Sequence, residues 1–430
     1  MGRPTINLFN TGSLIATKYN KQCMNTKSVI PRRALQAGYR VQYLGRSSHA
    51  LKPDVRWIEK TGIPYYDDIY FHPEIVYSDR PIHTLNRYLN EEWKKIAAMP
   101  DEQFVKPNTR TRMFQLKVWK KAVEIYSAEV DLTDVQGLFY EVSTLNSFQD
   151  LMPFHVIVLA HLQAGIPVVA FDSDRVVKKY GWRLGGVMGK ELPAFAEQYK
   201  TPLTYVAPEL FTGHKSLCDI AQRGAGYQTG QLFFPIDPDF PVPKDAIKEP
   251  KFDLVYVGND YDRTEEFFRF YFAEVGEKIQ VVGDFADKVR TKRVSTKRLM
   301  EAKGGRTDFP GPVPYTEVFD CYHNGRACVQ IATKESCESG YITPRANDVV
   351  MSKRLLLFSD HIKYITKLFR EEDVVSDKKD AIAQARSWWK LPPAKRNKRL
   401  KDQRDRLYEV AHIDIFWGDL CGFLQMGETA

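Results

Sequence analysis

Three stretches of this sequence bring together residue types that handle anions, hydroxyls and protons. The first is Tyr256-Val257-Gly258-Asn259-Asp260-Tyr261-Asp262-Arg263, set between an apolar run and a helical one. A glycine there lets backbone approach a ligand closely. A helix starting at Thr264 presents free N–H groups to an anion, and Arg263 offers a bidentate phosphate contact. The stretch matches neither G-x-G-x-x-G nor G-x-x-x-x-G-K-[ST], so nicotinamide and ATP readings have little support. An ordinary strand-to-helix turn would use the same residues. The second stretch runs from Gly340 to Asp348, where Gly, Thr and Pro set a turn before a short helix. Thr343 and Arg345 fall at the helix N-terminus, where anions are favoured. Asp348 lies one turn further in and could accept hydrogen bonds from both hydroxyls of a ribose. A helix cap with a solvated charge pair is the alternative. The third is Val169-Ala170-Phe171-Asp172-Ser173-Asp174-Arg175. One of its carboxylates can act as a general base towards an acceptor hydroxyl, or stabilise positive charge developing at a sugar carbon. An Asx-turn or a helix N-cap is again the plainer use.

The elements that must position these stretches follow a βαβ pattern. Residues 5–10 read as a buried strand, 29–38 as a helix ending at glycine, and 39–44 as the next strand. Strand runs recur at 137–142, 166–171 and 203–207, with a helix over 153–164. Residues 61–130 read as a helical insertion, strongest over 84–98 and 112–128. The proline-dense segment 233–243 reads as a stiff connector, with the boundary at 236–250. A second sheet then opens at 252–257, followed by a helix over 264–275 and strands at 279–282, 327–331 and 354–358. Helical spacing closes the chain over 379–389 and 394–410, with a break near His412. The expected fold class is therefore α/β, with two Rossmann-like domains facing across a cleft. Residues 1–240 form the first domain and 250–408 the second, while 409–430 form a C-terminal helix packing back on the first. Ligands in such sheets bind beyond the carboxyl ends of the strands, which places the site between the domains.

Composition narrows the class. The chain has 430 residues, 43% of them hydrophobic and 13% aromatic, which fits two globular cores and excludes wholesale disorder. Its longest apolar runs, such as 166–171, are too short to span a membrane, and its first residues carry no apolar signal region. A cytoplasmic location is expected, that of the host cell if a phage encodes the chain. The six cysteines form no CxxC pair, so Cys321, His323, Cys328 and Cys337 read as core residues rather than metal ligands. The net charge of +8 conceals an uneven distribution. Residues 18–60 carry +8, 288–306 carry +7 and 390–406 carry +6, which leaves −13 on the remainder. Concentrated positive charge points to a polyanionic partner or a phosphate-bearing ligand, with solvated helix faces as the alternative.

Together these features resemble glycosyltransferases of the two-domain GT-B type. The resemblance covers most of the chain as architecture. Its best motif is Phe309-Pro310-Gly311-Pro312-Val313-Pro314-Tyr315 followed by Gly340 to Asp348, which is similar to retaining and CgeB-like members. Those members carry G-x-x-x-x-R-x-x-E before a helix; here the final acid is Asp348, and Ser352-Lys353-Arg354 stands where a glycine is usual. The resemblance implies that Asp348 holds a nucleotide ribose. By the same carry-over Tyr315 packs near the base, while Gly258, Asn259, Arg263, Thr343 and Arg345 hold a diphosphate. The run from Val168 to Asp174 is also similar to the first-domain active-site segment of phage glucosyltransferases that modify hydroxymethylated DNA. It points to Asp174, with Asp172 second, as the catalytic acids. The expected reaction is transfer from a nucleoside-diphosphate sugar, a UDP-sugar foremost, with no essential metal. The favoured acceptor is a hydroxymethylated or otherwise hypermodified base in double-stranded phage DNA. Lys18, Lys21, Lys27, Arg32 and Arg33 would contact its phosphates, and Tyr19, Tyr65 or Tyr66 would stack beside a flipped base if they are not core residues. The rivals are a glycan or small-molecule acceptor, a sugar-nucleotide epimerase, and a non-catalytic DNA-binding protein on the same fold.

Overall fold

The computed structural model describes residues 3–9, 24–44, 72–78, 80–103, 109–141, 148–173, 187–211, 228–245, 249–259, 263–285 and 294–427. The first half contains β1 (Thr5–Phe9), α1 (Met24–Gln36), β2 (Arg40–Tyr43), β3 (Ile75–Tyr77), α2 (Arg80–Ala97), α3 (Thr109–Glu129) and β4 (Val135–Glu141). It continues with α4 (Phe148–Gln163), β5 (Val168–Phe171), α5 (Val187–Gln198), β6 (Leu203–Ala207) and β7 (Gln228–Gln231). Its seven strands lie in the order β3-β2-β1-β4-β5-β6-β7, every pair parallel. Strands β1, β5 and β6 are buried along their whole length, as a parallel sheet covered on both faces requires. Helix α4 is apolar on nearly all sides because it lies between that sheet and a second helical layer. Helices α2 and α3, from the insertion, supply that layer through Leu85, Leu89, Phe114 and Val118.

The second half contains β8 (Phe252–Val257), α6 (Thr264–Tyr271), β9 (Ile279–Val282), α7 (Thr296–Ala302), β10 (Asp308–Gly311), α8 (Val318–His323) and β11 (Gly325–Gln330). Then come α9 (Lys334–Ser339), α10 (Pro344–Met351), β12 (Leu355–Ser359), β13 (Val374–Val375), α11 (Lys378–Lys390), α12 (Pro393–Ala411) and α13 (Ile413–Leu424). The sheet order is β10-β9-β8-β11-β12-β13, again all parallel. Helix α6 ends four residues before the sequence spacing suggests, because the N–H of Ala273 turns to Thr307 Oγ1 at 2.9 Å. The strands without a clear sequence signal, β3, β7, β10 and β13, are short and stand at sheet edges. Pro310 sits within β10, where an edge tolerates a residue that cannot donate to a ladder.

The proline-dense connector is packed rather than solvated. Phe233, Phe234, Ile236 and Phe240 are buried in one apolar cluster that runs from β1 and β2 to α10, α12 and α13. The chain crosses between the halves a second time beside it. The N–H of Ile236 donates to Ala411 O at 2.7 Å, and that of Ile413 donates to Ile236 O at 2.9 Å. Helix α13 then lies on the first sheet, with Phe416 edge-on to Phe139 at 6.1 Å and Leu424 against Gly137. Two paired crossings and one shared core set how the carboxyl ends of the two sheets meet.

Candidate active site

Strand β8 carries Tyr256, fully buried, to the edge of the cleft, and Gly258 follows where the strand ends. The N–H of Gly258 donates to Val282 O at 2.9 Å, and that of Gly283 donates to Gly311 O at 3.1 Å. The ends of β8, β9 and β10 are thereby laced together. They approach so closely that a Cβ on Gly283 would stand 1.7 Å from Gly258 O. Gly283 also has φ +153°, outside the comfortable range of an L-residue.

Two arginines converge on this turn. Helix α10 begins with Thr343 as N-cap and Pro344 at its first position, so Arg345 projects from the first turn. Its Nε donates to Val257 O at 2.6 Å, its Nη1 reaches Thr343 Oγ1 at 3.3 Å, and its guanidinium lies over the Tyr256 ring, 4.2 Å from the centroid. Arg263, the N-cap residue of α6, donates to Tyr256 Oη at 2.8 Å and to Asn259 O at 2.9 Å. Both guanidinium groups keep their charge at any accessible pH. They bring two fixed positive charges beside a glycine turn at the carboxyl end of the sheet, an arrangement suited to a diphosphate. Asp348 is buried one turn into α10, and its Oδ1 accepts from Tyr315 Oη at 2.8 Å. Tyr315 is itself buried, edge-on to Phe319 at 5.9 Å. The structure thus joins the two expected nucleoside-side residues to each other, and the phenol orients the carboxylate.

Across the cleft, Asp172 and Ser173 follow directly on β5, both buried. The Asp172 N–H donates to Val206 O at 2.8 Å, extending the β5–β6 ladder by one residue. Ser173 Oγ donates to Glu141 Oε1 at 3.0 Å. Asp174 lies outside the described residues. Glu141, at the end of β4, and Glu209, just after β6, are buried acids beside the same sheet ends. The sequence signal for both is a carboxylate closing a run of strand residues, in Leu138-Phe139-Tyr140-Glu141 and Val206-Ala207-Pro208-Glu209.

Lys18 and Lys21 lie outside the described residues, as do Tyr19, Tyr65 and Tyr66, and of Lys27 only its place on α1 is described. Arg32 and Arg33 face carboxylates of this chain. Arg32 Nη1 lies 2.5 Å from Asp237 Oδ2 and Nη2 lies 3.6 Å from Asp239, while Arg33 Nε lies 3.0 Å from Asp414. They tie α1 to the connector and to α13. The basic stretch 390–406 becomes the end of α11 and most of α12, where Arg399 binds Asp373 at 3.0 Å and Arg396 stacks on Trp389 at 4.3 Å. Among the described residues no three His, Cys, Asp or Glu side chains gather as a metal site. Cys321, Cys328, Cys337 and Cys421 are free thiols. Burial pushes the Cys328 thiol up to about 11, so it stays protonated at neutral pH. Among the described residues no helix is long and apolar enough to cross a membrane.

No family model and no curated protein sequence matches this chain. Solved structures do match over almost its full length. It is similar to the β-glucosyltransferase of phage T4 in complex with UDP-glucose, at a TM-score of 0.57 and 12% identity, covering 98% of this chain and 99% of that one, and to a DNA-modifying β-glucosyltransferase at 0.55 and 12%, with the same coverage. The same phage enzyme in complex with UDP and Mn2+ matches at 0.56 and 12%, with the same coverage. An α,α-trehalose-6-phosphate synthase from Burkholderia multivorans matches at 0.56 and 12%, covering 99% of this chain and 98% of that one. What is shared at this level of identity is the fold: two parallel-stranded α/β domains in the same arrangement.

Proposed function

We propose that this chain, which has the GT-B fold, is a glycosyltransferase that moves a sugar from a UDP-sugar to a hydroxyl on a modified base of duplex DNA. The observation that carries the reading is the convergence of Arg263 and Arg345 on the Tyr256–Asn259 turn, opposite the buried acids that end the first sheet. Gly258 and Asn259 bring backbone to the diphosphate, and Arg263, Arg345 and Thr343 bind it. Asp348, oriented by Tyr315, takes the ribose hydroxyls. In the transfer the acceptor oxygen bonds to the anomeric carbon while the bond from that carbon to the diphosphate breaks. The electron pair leaves with UDP, whose growing charge the two arginines stabilise. The acceptor proton passes to a carboxylate, Asp174 first and Asp172 second. The described residues offer no cluster that fits a metal ion, and no step in this reading passes through one.

The DNA acceptor draws on two supports: the DNA-modifying activity named for one β-glucosyltransferase neighbour, and the positive charge concentrated at 18–60. Lys18, Lys21 and Lys27 follow the carboxyl end of β1, and the reading assigns them to phosphates. With Arg32 and Arg33 turned to carboxylates, those three lysines carry most of that contact.

Two measurements test the reading. Calorimetry with UDP-glucose, together with UDP release in the presence of duplex DNA carrying 5-hydroxymethylcytosine, should show binding and turnover. No binding to UDP-glucose or to other UDP-sugars would refute the transferase assignment. DNA affinity across a salt series should fall with a log–log slope of roughly −3 for three phosphate contacts. A flat slope would refute the DNA acceptor and leave the donor assignment standing.

A further inference from the structure

We infer that Tyr341 is a positioning residue: from the second domain, its phenol holds the carbonyl of Ser173 and so fixes the acidic turn after β5 relative to helix α10. The inference rests on the transferase reading above.

The contact spans 168 positions in sequence and joins the two halves of the proposed site. Tyr341 is buried, and its hydroxyl donates to the Ser173 carbonyl, on the backbone between Asp172 and Asp174. The turn is gripped at a second point, because Ser173 Oγ donates to Glu141 Oε1. On the other side, Tyr341 is four residues from Arg345. Ile342, Thr343 and Pro344 lie between them, and the proline fixes its own φ and restricts its neighbour. The acid turn is therefore referenced to the diphosphate-binding side chain through a short, stiff path.

The segment carrying Tyr341 is held against the first domain by backbone bonds. Leu210 N–H donates to Gly340 O at 3.0 Å, Phe211 N–H to Ser339 O at 3.0 Å, and Ile342 N–H to Pro208 O at 2.9 Å. Gln231 Nε2 caps the Glu209 and Phe211 carbonyls at 2.8 and 3.1 Å, and Gln330 Nε2 caps that of Tyr341 at 3.2 Å. Gly340 permits the approach. It has φ +67°, and a Cβ there would meet Lys363 O at 2.5 Å and Leu210 Cβ at 3.1 Å. A tyrosine serving only as packing needs some acceptor for its hydroxyl. This one reaches into the other domain, onto the peptide that carries the candidate base.

Tyr341→Phe keeps the ring and removes the donor. In the full chain, UDP-glucose affinity by calorimetry should stay within twofold of wild type. The kcat for UDP release with 5-hydroxymethylcytosine duplex should fall at least tenfold, since small displacements of a reacting group are costly. Amide hydrogen exchange in peptides covering 168–173 should speed up, while peptides covering 252–259 stay unchanged. An unchanged kcat, a kcat loss matched by an equal loss of UDP-glucose affinity, or unchanged exchange at 168–173 would each overturn the inference. A wild-type protein that neither binds UDP-glucose nor releases UDP would instead overturn the transferase reading, and the inference with it.

Discussion

The guanidinium of Arg345 occupies the space in which a side chain on Gly258 would stand: a Cβ at that glycine would lie 2.5 Å from Arg345 Nη2. The glycine and the arginine come from different elements, 87 positions apart, and each makes room for the other. Gly258→Ala is thus expected to drive Arg345 off the Tyr256 ring. UDP-glucose affinity should weaken by roughly tenfold or more, about 1.4 kcal/mol. The melting temperature should fall as well, because Gly258 has φ +158° and a Cβ there would also stand 3.0 Å from the buried Tyr256 ring. Calorimetry beside a thermal melt checks both; wild-type affinity in a folded Gly258→Ala protein would mean that Arg345 is not part of the donor site.

A lysine cannot replace this arginine. Arg345 uses Nε on Val257 O, Nη1 on Thr343 Oγ1 and its flat face on Tyr256. An ammonium group retains the charge but loses the planar fork and the stacking. Arg345→Lys should weaken UDP-glucose binding by about tenfold, and Arg345→Ala by more. Duplex DNA affinity at fixed salt should be the same in both variants as in wild type. A parallel loss of DNA affinity would contradict the division between donor and acceptor domains.

Much of this arrangement is readable in one dimension because it is built from local signals. Strands buried on both faces read as short apolar runs, and Thr343-Pro344-Arg345 announces a helix start. What the sequence leaves out depends on partners distant in the chain. Nothing near Tyr341 indicates that its hydroxyl meets Ser173, and nothing near Arg32 indicates that Asp237 receives it. Tyr315 and Asp348 are each readable as nucleoside-side residues, yet their mutual hydrogen bond is a property of the fold alone. The edge strands carry no clear sequence signal for a related reason. Two to four residues with one neighbour carry too little periodicity to register.

Asp253 shows how the second domain is fastened at the end away from the cleft. It is buried at the start of β8 and receives Arg326 Nη1 at 2.7 Å, with Arg386 Nε and Nη2 at 3.0 and 2.7 Å. Asp253→Ala would leave two guanidinium groups without their shared acceptor. Both keep some access to water, which places the cost at the low end for a broken buried pair, about 3 kcal/mol. Chemical denaturation should show the loss, and UDP-glucose affinity measured well below the transition should be unaltered, since Val257 and Gly258 stand at the opposite end of the same strand. A variant as stable as wild type would show that the cluster contributes nothing net.

Acid should destabilise the first domain through two buried histidines. His155 lies in its core with no partner for either ring nitrogen among the described residues, and burial pushes its pKa down to about 3. Burial also lowers His161, to about 4, although its Nδ1 lies 2.8 Å from Ile157 O and its Nε2 lies 2.9 Å from Asn7 Nδ2. Both rings are therefore neutral in the folded chain and become charged on unfolding below the ordinary histidine pKa of about 6.5. Depression of the folded value means the stabilisation is complete above pH 6.5. It is lost as the pH falls towards 4 and 3, because the unfolded state then binds more protons. At pH 5 each histidine should cost roughly 2 kcal/mol relative to pH 7. Urea midpoints for wild type and His155→Leu, measured from pH 7 to pH 5, check this. The variant should lose stability less steeply over that range, and identical pH slopes would show that His155 is already satisfied or protonated in the folded protein.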